Sequence, residues 1–374
     1  MPSMNIGFDA KRAFNNAAGL GNFSRSTISA LADQFPDDRF FLFHPGNTNQ
    51  LFTAPENATE IKPKNLAWKI LKNVWRSFQI SKLARELNLD IFHGLSHELP
   101  AGIEKTGIKS VVTIHDLIYI RYPNFFMKID RNIYDLKFRH ACQAANRIHA
   151  ISEQTKRDLI QFFSVPAEKI EVIYQAVNPL FFEVCTEAQK LAIRKKYQLP
   201  EEFILTVGTI EPRKNLMNLL KGMVSEKINI PLVVVGRSTG YQQRARSFIE
   251  ENRMQVIFLH GIKDAELAVL YQSATAMVYP SLFEGFGLPV AEAQASGCPV
   301  ITSNTSSLPE AGSDAAIYIN PEKPEEIGKA IKSLLASKSQ RETIIAKGKI
   351  NGQRFTPEKY AIQLRQLYKS IIHA

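Results

Sequence analysis

Cysteine is scarce in this 374-residue chain: Cys142, Cys185 and Cys298 stand far apart, odd in number and never as C-x-x-C. Neither a disulfide framework nor a zinc cluster is indicated, and a reducing cytoplasm is the expected compartment. Long apolar runs are missing too, since no stretch approaches the roughly 20 residues of a membrane span. The opening MPSMNIGFDA has no basic start followed by an apolar run, so no signal peptide is expected. There is no D-x-D triplet and no His/Cys cluster at ligand spacing, which leaves a bound metal without its usual carriers. Internal repeats and low-complexity tracts are also absent.

What is present suits a packed soluble protein, with 45% hydrophobic and 22% charged residues. At this length two domains are expected. The formal charge of +10 is spread over both halves, and no nucleic-acid partner is expected. One stretch departs from the average. Residues 61–85, IKPKNLAWKILKNVWRSFQISKLAR, hold seven Lys/Arg, no acid and both tryptophans, Trp68 and Trp75. Leu71, Val74, Trp75 and Phe78 recur at helical spacing. That pattern predicts a basic amphipathic helix, which either packs its apolar stripe on its own sheet or meets an anionic membrane surface.

Short β-branched runs alternate with helical patterns from end to end, the mark of parallel βαβ units. Strands are expected at Asn5–Asp9, Arg39–His44, Ile91–His93, Lys109–Ile114, Ile148–Ile151 and Ile170–Ile173 in the first half. In the second half they are expected at Phe203–Val207, Leu232–Val235, Val256–Leu259, Ala276–Tyr279, Val300–Thr302 and Ile317–Ile319. Each half can build a doubly wound α/β sheet, with Tyr174–Phe182 as the linker and Pro357–Ile372 as a final helix. Ligands in such sheets sit at the carboxyl ends of the strands, so two lobes joined there would face each other across a cleft.

The stretch SLFEGFGLPVAEAQASG, Ser281–Gly297, sets Glu284 and Glu292 on either side of a Gly-Phe-Gly-Leu-Pro turn. Pro289 suits a first helical position and Gly297 a C-terminal cap, which predicts a helix from Pro289 to Ser296 with Glu292 in its first turn. The amides of Phe286, Gly287 and Leu288 ahead of it suit phosphate. Glu292 is equally explained by complementarity to the helix dipole, worth about 0.3–1 kcal/mol. Glu284 has no such explanation. A carboxylate beside a phosphate site is suited to sugar or ribose hydroxyls, which points to a nucleotide sugar; the alternative is a plain loop.

In VGTIEPRKNL, Gly208 and Thr209 open a loop after a strand, and Arg213 and Lys214 precede a helix starting near Asn215. Together they can neutralise a departing diphosphate, or they are a solvated surface pair. FNNAAGLGNFSRS predicts a loop holding Gly19 and Gly21 before a helix from about Asn22. Ser24 stands where a dinucleotide fingerprint needs its third glycine, so the loop either touches a ligand or is a tight turn. VVTIHDLIY puts His115 and Asp116 just past a buried strand, as a structural pair or cap, or as a sugar contact. Ser152 in AISEQTKRDL is a helix cap.

With these residues gathered, the chain resembles the retaining family 4 (glycosyl transferases group 1) glycosyltransferases of the GT-B fold over nearly its whole length. FHGLSHELP, VVTIHDL, ISEQTKRDL, VGTIEPRKNL and VYPSLFEGFGLPVAEAQASGCPVITSNTSSLPE carry the resemblance with the Gly19–Gly21 stretch. It implies two Rossmann-like domains, 1–178 on the acceptor side and 179–356 on the donor side, with the last helix, 357–374, packed back on the first. It also implies a nucleoside diphosphate sugar donor, GDP- or UDP-linked, and no cofactor or metal. On this resemblance Glu284 contacts the donor sugar, Glu292 the ribose, and Arg213 with Lys214 the diphosphate. Phe286, Gly287 and Leu288 complete the phosphate site, His115 sits near the transferred sugar, and the Gly19–Gly21 loop closes over the donor. The catalytic set is then Glu284, His115, Lys214 and Arg213.

One departure stands out: Thr209 occupies a place where many family members have Arg, a variant similar to that of cell-surface polysaccharide mannosyl- and rhamnosyltransferases. The expected activity is metal-independent, retaining hexosyl transfer, mannose included, to a lipid-linked or other glycan, by a cytoplasmic protein peripheral to the membrane. A nucleotide-sugar epimerase would differ by turning over donor without acceptor. A silent glycan- or lipid-binding protein on the same scaffold would have no need of Glu284, Glu292 and Lys214 together.

Overall fold

Two stacks of parallel strands organise the chain. The computed structural model describes residues 3–46 and 51–373. Residues up to 176, with Pro357 onward, form one compact unit, and Val177–Thr356 form a second.

The first unit holds β1 (Asn5–Asp9), β2 (Arg39–Phe43), β3 (Ala58–Ile61), β4 (Ile91–Gly94), β5 (Lys109–Ile114), β6 (Arg147–Ala150) and β7 (Ile170–Val172). They pair in the order β3-β2-β1-β4-β5-β6-β7, parallel throughout. Burial on both faces explains the continuous apolar runs of β1, β4 and β5. β3 escaped the sequence reading because ATEI is a partly exposed edge strand with no apolar run.

The last helix, Pro357–Ile372, belongs to this unit. Tyr360 meets Thr27 at 2.9 Å, Arg365 holds the buried Asp38 with bonds of 2.8 and 2.9 Å, and Tyr368 meets His93 at 2.6 Å.

Two local expectations fail. Gly19 and Gly21 lie inside a helix, Gly19–Gln34, rather than in a loop before Asn22. Gly21 is required by close approach, since a Cβ there would stand 1.7 Å from the Asn16 carbonyl oxygen. The single helix expected over 61–85 is instead the end of β3 followed by three short helices, Leu66–Ile70, Lys72–Phe78 and Ile80–Glu86. Trp75 turns inward while Leu71, Val74 and Phe78 stay exposed, so the apolar stripe does not pack on the sheet as one face.

The second unit holds β8 (Ile204–Val207), β9 (Leu232–Val235), β10 (Val256–Leu259), β11 (Ala276–Tyr279), β12 (Val300–Ser303) and β13 (Ile317–Ile319). Their order is β10-β9-β8-β11-β12-β13, again parallel. Chain direction across the sheet reverses between β8 and β11, as it does between β1 and β4 in the first unit. Carboxyl-end loops part at such switch points and leave a crevice.

The first unit also buries His93, His97, His115 and His149. A hydrogen-bonded line runs from Tyr368 through His93 and Thr113 to His149 and the Ile173 carbonyl. Burial pushes His115 and His149 down to about 4 and the other two well below the usual imidazole value. Folded imidazoles therefore stay neutral while unfolded ones take up protons near their ordinary value of about 6.5. Stability from these groups is full above that pH and lost as pH falls toward about 4. Both tryptophans lie in this unit, so the tryptophan-monitored melting temperature should drop steadily between about pH 7 and pH 4.5. A flat profile would contradict neutral burial.

Candidate active site

The loops after β8 and β11 leave neighbouring strands at the switch point of the second sheet. After β8 the chain passes Gly208, at φ +136°, and enters a short turn, Pro212–Lys214. Asn215, at φ +61°, ends that turn, and its side-chain amide donates to the Pro280 and Pro321 carbonyls at 3.0 and 2.6 Å. This clamp ties the two loops together. Leu282 N–H donates to the Arg213 carbonyl, which Ser281 Oγ approaches at 3.2 Å.

Arg213 and Lys214 then converge on Glu284. Lys214 Nζ lies 2.7 Å and Arg213 Nη1 2.8 Å from Glu284 Oε1, and the Ser281 hydroxyl donates to the same oxygen. Lys214 also donates to Tyr279 Oη at 2.5 Å, with its ammonium 4.9 Å from that ring's centre. Arg213 Nη2 pairs with Glu211 at 2.6 Å. Two cations and two carboxylates thus form a largely desolvated, balanced cluster. Burial alone would raise the Glu284 carboxyl, but Arg213 and Lys214 outweigh it and hold the group down at about 2. Burial lowers Lys214, with Glu284 opposing. Tyr279, Ser281 and Glu211 were missed in the sequence, because nothing local marks which side chains a folded loop will bring onto one carboxylate.

The helix after β11 runs Leu288–Ala295, and Gly287, at φ +112°, caps it. Among the described residues the Gly287 and Leu288 amides donate no hydrogen bond. Phe286 is buried with its ring 5.3 Å from that of Phe355. Glu292 lies beyond the first turn rather than in it, which removes the dipole explanation. It is partly buried and accepts from Tyr271 Oη at 3.2 Å. Burial, with Asp264 adding repulsion, pushes its carboxyl up to about 8. Thr209, partly buried, sits in the β8 loop close to Gly236, where a Cβ would be 1.8 Å from the Gly208 carbonyl oxygen.

In the first unit His115 follows β5 and is buried. Its Nε2 donates to the Leu95 carbonyl at 2.9 Å, which leaves Nδ1 as an acceptor facing the Gln175 amide at 3.4 Å. Asp116 caps the following turn through the Ile118 N–H. At this sheet's own switch point stands a cluster the sequence did not announce. Asp9 at the end of β1 takes Arg76 Nη2 at 2.6 Å, and Arg76 also reaches Glu98 at 2.8 Å.

Comparison with known proteins fits this geometry. Residues 24–180 match the model of Glycosyltransferase Family 4, and residues 189–351 match that of Glycosyl transferases group 1. The chain belongs to this glycosyltransferase family. This glycosyltransferase is 29% identical to O-antigen chain mannosyltransferase B of Escherichia coli, over 94% of its own length and 96% of the relative's. In fold it is similar to sucrose-phosphate synthase from Thermosynechococcus elongatus, with a TM-score of 0.78, 21% identity and 99% of each chain covered. It also resembles Anabaena Alr3699/HepE, solved in complex with UDP, with a TM-score of 0.76, 16% identity and coverage of 99% and 100%. These neighbours establish a GT-B fold for this glycosyltransferase.

The cluster makes a prediction about folding. Glu284→Gln leaves two buried cations facing each other and should destabilise the enzyme by about 3 kcal/mol. Adding Lys214→Met should recover part of that loss. Urea unfolding of the two single variants and the double variant gives the coupling, and simple additivity would mean the groups do not interact.

Proposed function

We propose that this enzyme moves a hexose, mannose foremost, from a GDP- or UDP-linked sugar to a lipid-linked or other glycan acceptor in surface polysaccharide synthesis. The reading includes retention of configuration, no metal, and work at the cytoplasmic face of the membrane, which residues 61–85 would contact. The observation that carries it is the convergence of Arg213 and Lys214 on Glu284 beside the helix start at Gly287–Leu288. The similarity over nearly full length to an O-antigen chain mannosyltransferase supports the sugar and the setting. The UDP held by a protein of the same fold supports a nucleotide donor.

Transfer requires charge to leave with the diphosphate while the anomeric carbon becomes cationic. Arg213, Lys214 and the Gly287 and Leu288 amides would meet that leaving charge without reorganising, the most effective form of electrostatic assistance. Their positive charge takes the part a metal plays elsewhere. Among the described residues Arg213, Lys214 and Ser281 each reach Glu284 through Oε1, and Oε2 would accept from a sugar hydroxyl. Glu292, beyond the first turn of the same helix, would take the ribose hydroxyls, and Phe286 holds the turn in place. Thr209 would face the donor from the β8 loop. His115 would meet the sugar as a neutral acceptor through Nδ1. Gly19 and Gly21 would act from a helix start rather than a loop.

Lys214→Ala keeps Arg213 and Ser281 on Glu284, so the fold should survive, as circular dichroism can verify. Transfer should fall about 10²–10³-fold and nucleotide-induced thermal stabilisation should shrink. Full activity in this variant would remove the phosphate assignment. Glu292 gives a second handle. With its carboxyl near 8 it is largely protonated at lower pH and ionises as pH rises, and the ionised form accepts hydroxyl donors more strongly. Donor affinity should therefore rise between about pH 6.5 and 9. Glu292→Gln should bind more weakly at high pH and show no such rise.

A further inference from the structure

The chain leaves β1 through Ala10 and at once presents two adjacent cations, Lys11 and Arg12, in a short helix, Lys11–Asn15. The inner side of that helix is fixed. Ala13 and Phe14 are buried, the Phe14 ring stacks on His44 with centroids 4.2 Å apart, and Arg25 Nη1 donates to the Ala13 and Asn16 carbonyls at 2.8 and 2.9 Å. Lys11 and Arg12 are thereby held, partly buried, at the carboxyl edge of the first sheet. In the strand order β1-β4-β5 the neighbouring loops carry His97 and Glu98 after β4, and His115 after β5.

These surroundings give the two cations no partner. Among the described residues neither side chain forms a hydrogen bond or an ion pair. The nearby acids are engaged elsewhere: Asp9 takes Arg76 at 2.6 Å, and Glu98 takes Arg76 at 2.8 Å and Lys137 at 3.1 Å. Asp116 accepts from the Ile118 N–H at 3.1 Å. Burial lowers Lys11, the charges of Arg76 and Arg12 add to the lowering, and Asp9 and Glu98 oppose it. The charge of Arg12 also reaches His97 and His115. Partly desolvated cations set beside one another cost stability, and such a cost is the usual mark of a site kept for binding rather than for folding.

We propose that Lys11 and Arg12 form a phosphate-binding subsite for the acceptor, so that the enzyme extends a glycan carrying a phosphate or diphosphate ester rather than a neutral one. A guanidinium fork and an ammonium side by side suit the several charged oxygens of such an ester. Arg12 acts on His115, the residue proposed to meet the transferred sugar, which puts the ester near the reacting end of the acceptor. The inference rests on the glycosyl-transfer reading above. It gives the anion to the acceptor because the donor's diphosphate has its own cations, Arg213 and Lys214, in the other unit.

The test uses inorganic pyrophosphate as the probe, titrated into the full chain with GDP or UDP already saturating, and reads affinity by calorimetry together with the melting temperature. Wild type should bind pyrophosphate on top of the nucleotide, more weakly as salt rises. Mannose 1-phosphate should compete for that site, and methyl mannoside should not. Lys11→Met and Arg12→Met should each weaken pyrophosphate binding about tenfold, since a charge-assisted hydrogen bond is lost, and leave stabilisation by nucleotide unchanged. Lys214→Ala should do the reverse. Methionine keeps an apolar stem and no partner is left behind, so the melting temperature without ligand should hold or rise. If the donor reading fails, wild type shows no response to nucleotide, yet the pyrophosphate response still disappears with Lys11 and Arg12. Four results would overturn the proposal. They are no pyrophosphate binding by nucleotide-saturated wild type, undiminished binding by both methionine variants, loss of the nucleotide response in those variants, which would give the cations to the donor, or a lower ligand-free melting temperature, which would make them structural.

Discussion

A single carboxylate oxygen, Glu284 Oε1, organises the carboxyl edge of the second unit's sheet. Ser281, Arg213 and Lys214 all reach it, and they come from loops that leave two adjacent strands. Desolvation would neutralise an isolated carboxyl in this position, so its low pKa depends on the two cations being fixed. The reverse also holds, because those cations can be buried only against an anion. Glu211 and Tyr279 extend the same logic outward by holding the far side of Arg213 and Lys214. The result is a charge-balanced, largely desolvated cluster whose side chains hold one another in place.

The first unit repeats the architectural rule with different chemistry. Its sheet also reverses direction across one strand pair, β1 and β4, and there too an ion cluster forms, with Arg76 between Asp9 and Glu98. Arg76 comes from the segment whose Leu71, Val74 and Phe78 face outward, so the cluster, with the inward Trp75, anchors that segment to the strand end. The neutral histidine line behind it shows the opposite solution: polar groups buried without charge, each satisfied by a neighbour.

Much of the fold was legible because parallel strands buried on both faces write apolar runs such as FILTV and PLVVV, and because Pro and Gly punctuate the ends. β3 was not legible, since its four residues are stabilised by pairing with β2 rather than by burial. Gly19 and Gly21 misled in the opposite direction. Glycine signals either a free backbone or a close neighbour, and at Gly21 the Asn16 carbonyl is that neighbour. In residues 61–85 the helical spacing was genuine, but one tryptophan turned inward while its companions turned out, and three short helices replaced one.

The sequence by itself determined the two parallel-sheet units and that Arg213, Lys214, Glu284 and Glu292 stand past strand ends, because strand ends are written in local composition. Only the tertiary structure decided what those residues do to one another. Convergence of three donors on one oxygen, the rise of Glu292 and the fall of Glu284 all depend on burial and on close approach of residues that are in several cases distant in the chain, Lys214 and Glu284 being 70 positions apart. Electrostatic energy varies with separation and dielectric, and neither quantity exists until the chain has folded.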